Sequence, residues 1–167
     1  MVTDIKIELP KDYGVDPYLP RYTEASELVE VEANVVGKMQ LLESATAQAW
    51  QDMKAAAAKD DIVLLIVSGF RSVDYQASIF QKKLAAGQTI PEILKVNVAP
   101  GYSQHHTGQA IDIATPGSRP LTEEFAETEA FAWLNQHAAE FGFSMPYTRD
   151  NPFEIAYEPW HWSRLKT

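Results

Sequence analysis

The ten residues from Ser103 to Asp112 hold the densest chemistry in the chain: His105 and Asp112 flank Gly108 in the run Ser-Gln-His-His-Thr-Gly-Gln-Ala-Ile-Asp. If His105 precedes a glycine turn and Asp112 lies on a strand after it, the two side chains converge on one point. Imidazole nitrogen and carboxylate oxygen are zinc ligands, and a catalytic zinc takes three such ligands and leaves a fourth position for water. A third ligand is offered by Tyr157-Glu158-Pro159-Trp160-His161-Trp162, where a carboxylate stands three residues before a histidine. Pro159 predicts a bend that lets Glu158 and His161 face the same place, His161 as ligand and Glu158 as the base for a metal-acidified water. The third constellation is Ser68-Gly69-Phe70-Arg71 with Gln76 five residues on. A guanidinium at the head of a helix grips a carboxylate with two parallel hydrogen bonds, which points to a substrate with a free carboxyl end.

Each of these residues has a plainer reading. His106, and His137 within a helix, are read as structural, and Trp160 and Trp162 as core. Ser103, His105 and Asp112 lie too close in sequence for the dispersed arrangement of a nucleophilic triad. The chain contains no cysteine, which excludes disulfides and thiolate ligands, so any metal must rest on His and carboxylate. A net charge of −9 argues against nucleic acid and anionic membrane surfaces. The longest apolar run, Ile62 to Val67, is too short to span a bilayer. The first thirty residues show no signal-peptide pattern. The expected setting is therefore cytoplasmic for the chain as given, and periplasmic or extracellular if an export signal has been removed.

The elements that must position these groups are legible in outline. With 167 residues, one domain is expected, of α+β class, an antiparallel sheet flanked by helices. Residues 1–27, with Pro10, Pro17, Pro20, Tyr13, Tyr18 and Tyr22, read as an irregular arm laid over a domain of residues 28–167. Residues 28–36 alternate as an extended piece that Gly37 interrupts, with a helix as the close rival. Apolar residues at helical spacing predict a helix over 42–58, ended by Asp60 and Asp61, then a buried strand over 62–67. Ser72 caps a second predicted helix running to Gly87, which leaves Arg71 at a strand-to-helix corner. A loop of about twenty residues follows, then a strand over 109–114, a helix from Thr122 to near Gly142, and strand-like pieces around Phe143 and Tyr157 to Trp162.

Taken in order, Ser-Gly-Phe-Arg-Ser with Tyr75-Gln76, Ser-x-His-x-x-Gly-x-Ala-x-Asp and Glu-Pro-Trp-His resemble the VanY-type D-alanyl-D-alanine carboxypeptidases over roughly Ala45 to Trp162. That family belongs with the lysostaphin, D-Ala-D-Ala peptidase and hedgehog group of zinc peptidase folds. The resemblance implies His105, Asp112 and His161 as zinc ligands and Glu158 as catalytic base. It implies Arg71, Gln76 and Ser103 as the lining of the substrate pocket, Arg71 as polariser or carboxylate clamp. No motif position departs from the pattern. The expected activity is hydrolysis of the C-terminal D-alanine bond of peptidoglycan stem peptides, as a D,D- or L,D-carboxypeptidase acting as a monomer. A lysin-type endopeptidase and a non-catalytic wall-binding module are the alternatives.

Overall fold

The computed structural model describes residues 5–166; the first four residues of the expected arm, and Thr167, lie outside them. A β-hairpin of β1 (Val29–Ala33) and β2 (Met39–Leu42) leads into helix α1 (Ser44–Lys59). The hairpin turn is built by Asn34, whose Oδ1 accepts from the Val36 and Lys38 N–H groups, and by Gly37 at φ 82°. Of the 28–36 piece only Val29–Ala33 is a strand, residues 34–36 entering the turn, and its partner strand was not anticipated. Glu43 caps α1 by accepting from Ala45 N and Thr46 Oγ1. The α1 face with Ala47, Trp50, Met53 and Ala57 is buried. Lys54 and the Trp50 indole both donate to Glu32, tying α1 to β1.

Three antiparallel strands form the second sheet, in the order β3 (Leu65–Ser68), β4 (Ala110–Ala114) and β5 (His161–Ser163). Every residue of the central strand β4 is buried. The main core joins one face of this sheet to α1 and to α4 (Glu129–His137), through Leu64, Ile66, Ile111, Ile113, Phe125, Leu134 and Trp162. Burying one such side chain contributes about 1.5–3 kcal/mol. Helix α2 (Val73–Ala85) starts at Ser72, whose Oγ accepts from Tyr75 N, as expected. Among the described residues no helix is long and apolar enough to cross a membrane. The α+β class with antiparallel sheets and flanking helices is the one expected, but the strands divide into two sheets.

Three expectations are corrected. The long loop after α2 contains a short helix, α3 (Ile90–Leu94), started by a reciprocal capping box between Thr89 and Glu92 with Pro91 in its first turn. The helix from Thr122 to Gly142 is broken. A 3-10 turn (Glu123–Glu127) precedes α4 and another (Ala138–Phe141) follows it, because Thr128 turns extended and spends its hydroxyl on capping Phe131 N. In the tail only His161–Ser163 is a strand, and near Phe143 only Ser144 bridges to Ser163. The chain turns at Pro159 and Trp160 instead, closed by His161 N–H donating to Glu158 O at 3.2 Å.

Before Val29 the described residues form no helix and a single bridge, Val15 to Tyr18. The arm packs on a second core cluster of Phe80, Ile93 and Ala99 through Ile7, Leu9 and Tyr13. It then runs beside the 101–106 loop, with Tyr22 N–H on Gly101 O at 2.9 Å and Ala25 N–H on His106 O at 2.8 Å.

Candidate active site

The sheet aligns two of the chemical groups directly. Asp112 at the centre of β4 pairs in register with His161 at the start of β5 and with Ser68 at the end of β3. His105 arrives on a 3-10 turn (Gln104–Thr107) that ends in Gly108 at φ 72°. A Cβ at Gly108 would stand 2.9 Å from Glu43 N, so both conformation and space require glycine there. Ser103 caps this turn by accepting from His105 N at 3.2 Å. Past β3 the chain runs under β2, where a Cβ at Gly69 would meet Leu41 O at 2.6 Å. This close approach lets Gly69 O accept from His105 Nδ1 at 2.7 Å.

His105 Nε2 lies 3.1 Å from Asp112 Oδ1, and His161 Nδ1 lies 3.3 Å from the same oxygen. All three side chains are buried, and their ligand atoms lie within 4.8 Å of one another. Burial and the Arg71 charge lower the His105 imidazole to about 4, so it is neutral at pH 7. Its proton is on Nδ1, donated to Gly69 O, and His161 Nε2 lies 2.8 Å from Gln104 Oε1. Burial works to raise the Asp112 carboxyl, yet His105, His161 and the Arg71 guanidinium hold it far below the usual carboxylate range. Two imidazole nitrogens thus converge on one buried carboxylate oxygen, and two His nitrogens with one carboxylate fit a divalent metal with an open position.

Around this point the remaining groups gather in one cavity of about 290 Å³, which Arg71, Gln76, Ser103, Tyr147, Glu158 and Trp160 help to line. Glu158 Oε2 is 3.7 Å from His161 Nδ1, and Glu158 N–H donates to Tyr147 O at 3.0 Å. Burial pushes the Glu158 carboxyl up to about 7, with Asp112 raising it further and His161 and Arg71 opposing. Arg71 Nη1 is 3.6 Å from Asp112 Oδ2, while its Nε has no partner. Gln76 is buried on α2, donates Nε2–H to Val98 O at 2.8 Å and leaves Oε1 unpaired. All seven residues singled out from the sequence thus border the same cavity.

The structural readings of the other residues also have physical content. His106 donates from Nδ1 to Arg71 O at 2.7 Å and accepts at Nε2 from Gly101 N, so it holds the backbone of Arg71. His137 lies against Trp133, ring centroids 4.8 Å apart on α4. Trp162 is core, whereas Trp160 is half-buried and lines the cavity. Sequence reasoning missed two residues. Tyr147 lies 4.7 Å from the His161 ring, and burial, with the Glu158 charge, raises its phenol so that it stays a hydrogen-bond donor. Gln104 is the other; only its place beside His105 could have drawn notice.

The chain belongs to the VanY D-alanyl-D-alanine carboxypeptidase family, whose family model matches residues 39–165. It is 33% identical to the YodJ protein of Bacillus subtilis (strain 168) over 151 residues, 86% of this chain and 55% of that protein. It spans about half the length of the curated relatives it matches. Among solved structures, the LdcB LD-carboxypeptidase superposes with a TM-score of 0.76 at 32% identity, covering 87% of this chain and 72% of that one. A vancomycin resistance D,D-pentapeptidase VanY in complex with Zn(II) gives 0.65 and VanYB in complex with D-Ala-D-Ala gives 0.66, each at 26% identity, covering 87% of this chain and 81% of theirs.

Proposed function

We propose that this chain is a zinc-dependent carboxypeptidase that removes the C-terminal D-alanine from peptidoglycan stem peptides. The observation that carries the reading is the convergence of three buried ligand atoms on His105, Asp112 and His161, beside a buried carboxylate and a guanidinium in one cavity. Zinc held by these three side chains supplies Lewis acidity and brings the pKa of a bound water near neutrality. Glu158 accepts the water's proton and returns it to the leaving amine, a task suited to a carboxyl whose burial already raises its basicity. Arg71, beside the second oxygen of Asp112, is close enough to the ligand set to stabilise the oxyanion of the scissile carbonyl. Ser103 keeps its hydroxyl proton free for the terminal carboxylate, and the unpaired Oε1 of Gln76 suits a substrate N–H.

The likeness to an LD-carboxypeptidase at 32% identity exceeds that to a D,D-pentapeptidase at 26%, and favours the L,D bond of a tetrapeptide stem. Such a substrate implies that the enzyme works on the wall side of the membrane. Zinc-loaded protein incubated with tetra- and pentapeptide stems, read by mass spectrometry, tests this: loss of a single alanine is expected, faster from the tetrapeptide. Preference for the pentapeptide overturns the L,D assignment, larger fragments favour an endopeptidase, and no product favours a wall-binding module.

A further inference from the structure

Gln104 is 1% exposed, and the reaction as derived gives it no task. Its Oε1 lies 2.8 Å from His161 Nε2, across 57 positions of sequence. On its other side the His161 ring faces two carboxylates, with Nδ1 3.3 Å from Asp112 Oδ1 and 3.7 Å from Glu158 Oε2. A neutral imidazole carries one proton, and these partners compete for it. The carboxylates draw it to Nδ1, where it occupies the direction in which a metal must bind. The amide oxygen draws it to Nε2 and leaves the Nδ1 lone pair for the metal. Beside the Gln104 side chain stands Tyr22 of the arm. Both border a small cavity of about 10 Å³ with Leu19, Tyr102 and Tyr147. Tyr22 belongs to the arm, whose backbone is pinned to Gly101 and His106 on either side of Gln104, and it precedes the family match, which begins at residue 39.

We infer that Gln104 is a positioning residue for metal binding, holding His161 in the Nε2-protonated tautomer, and that the N-terminal arm holds Gln104 in turn through Tyr22. This rests on the metal site of the proposed function, and the test separates the two. In the full chain, stripped and titrated with zinc against a chromophoric chelator, failure of the wild type to bind zinc sinks the metal site itself. With wild-type binding in hand, Gln104→Met, which keeps the shape but loses the acceptor, should weaken zinc binding about ten- to a hundredfold. Gln104→Glu, which keeps an acceptor, should restore most of it. Tyr22→Phe should cost less, within about tenfold. In metal-free protein, imidazole 15N shifts at neutral pH should report His161 as Nε2-protonated in the wild type and as a mixture in Gln104→Met and Tyr22→Phe. Should Gln104→Met fail to fold, the wild-type tautomer and Tyr22→Phe still decide. Wild-type zinc affinity in Gln104→Met, equal weakness in Gln104→Met and Gln104→Glu, or an Nδ1-protonated His161 in the wild type overturns the role of Gln104. Wild-type zinc affinity in Tyr22→Phe overturns the role of the arm.

Discussion

Asp112 and His161 reach the site from paired strands, whereas Arg71, Ser103, His105 and Glu158 reach it from turns. The strand residues are placed by ladder register: shifting either by one position would turn its side chain to the opposite face of the sheet and into the core. The turn residues are placed one at a time by local devices. These are the αL glycine at 108, the approach of Gly69 to Leu41, the His106 bond to Arg71 O, and the Tyr147 bond to Glu158 N. The difference is one of support: two of the three candidate ligands rest on the sheet, while His105, Arg71 and Glu158 each rest on a local device, those at Arg71 and Glu158 being separate from the sheet register.

The largest effect is expected from the sheet. His161→Ala should reduce zinc from one per chain to near zero, with activity falling to background, because two ligands cannot make a catalytic site. Elemental analysis checks it, and a variant that keeps its zinc would remove His161 from the ligand set. Next comes a turn residue that should leave the metal alone. Glu158→Gln should retain zinc and lose roughly a hundred- to ten-thousandfold in kcat. Because the working base is ionised, kcat/KM should fall as pH drops through the Glu158 pKa. Bound zinc adds positive charge beside a carboxyl that lies at about 7 without it, so the acid limb belongs below 7 and should vanish in the variant. Metal-free protein should show the opposite trend in stability. The folded state holds the Glu158 proton more tightly than the unfolded one, so stability declines as pH rises from 4.5 to about 7, and Glu158→Gln should flatten that decline in denaturant titrations. The smallest effect is expected at Arg71. Arg71→Lys should lose about ten- to a hundredfold in kcat with little change in KM if the guanidinium acts on the oxyanion. A rise in KM with kcat intact would move Arg71 to the terminal carboxylate and narrow the contrast between sheet and turns.

Much of this division is legible in the sequence. Gly108 between His105 and Asp112 marked a turn followed by a strand, Ser72 marked the start of α2, and the aliphatic run after Asp61 marked a strand, which the structure sets at Leu65–Ser68 with only Ile66 fully buried. Elements failed where a local competitor intervened: the Thr128 hydroxyl broke a helical pattern, and the turn at Glu158 and Pro159 shortened the last strand to three residues. The hairpin partner β2 was missed because Met39 to Leu42 is too short to show an alternation.

Residue types and short spacings by themselves singled out the seven residues that border the cavity and the broad fold class, because turns, caps and amphipathic faces act within a few residues of the chain. Only the tertiary structure decided which imidazole nitrogens face Asp112, that burial lifts the Glu158 carboxyl, that Tyr147 and Gln104 join the site, and that the arm lies behind it. Those outcomes depend on groups brought together from 57 or more positions apart in the case of His161 with Gln104, and on the water excluded when they pack. Proton positions and desolvation are properties of the assembled surroundings, which no local stretch of sequence contains.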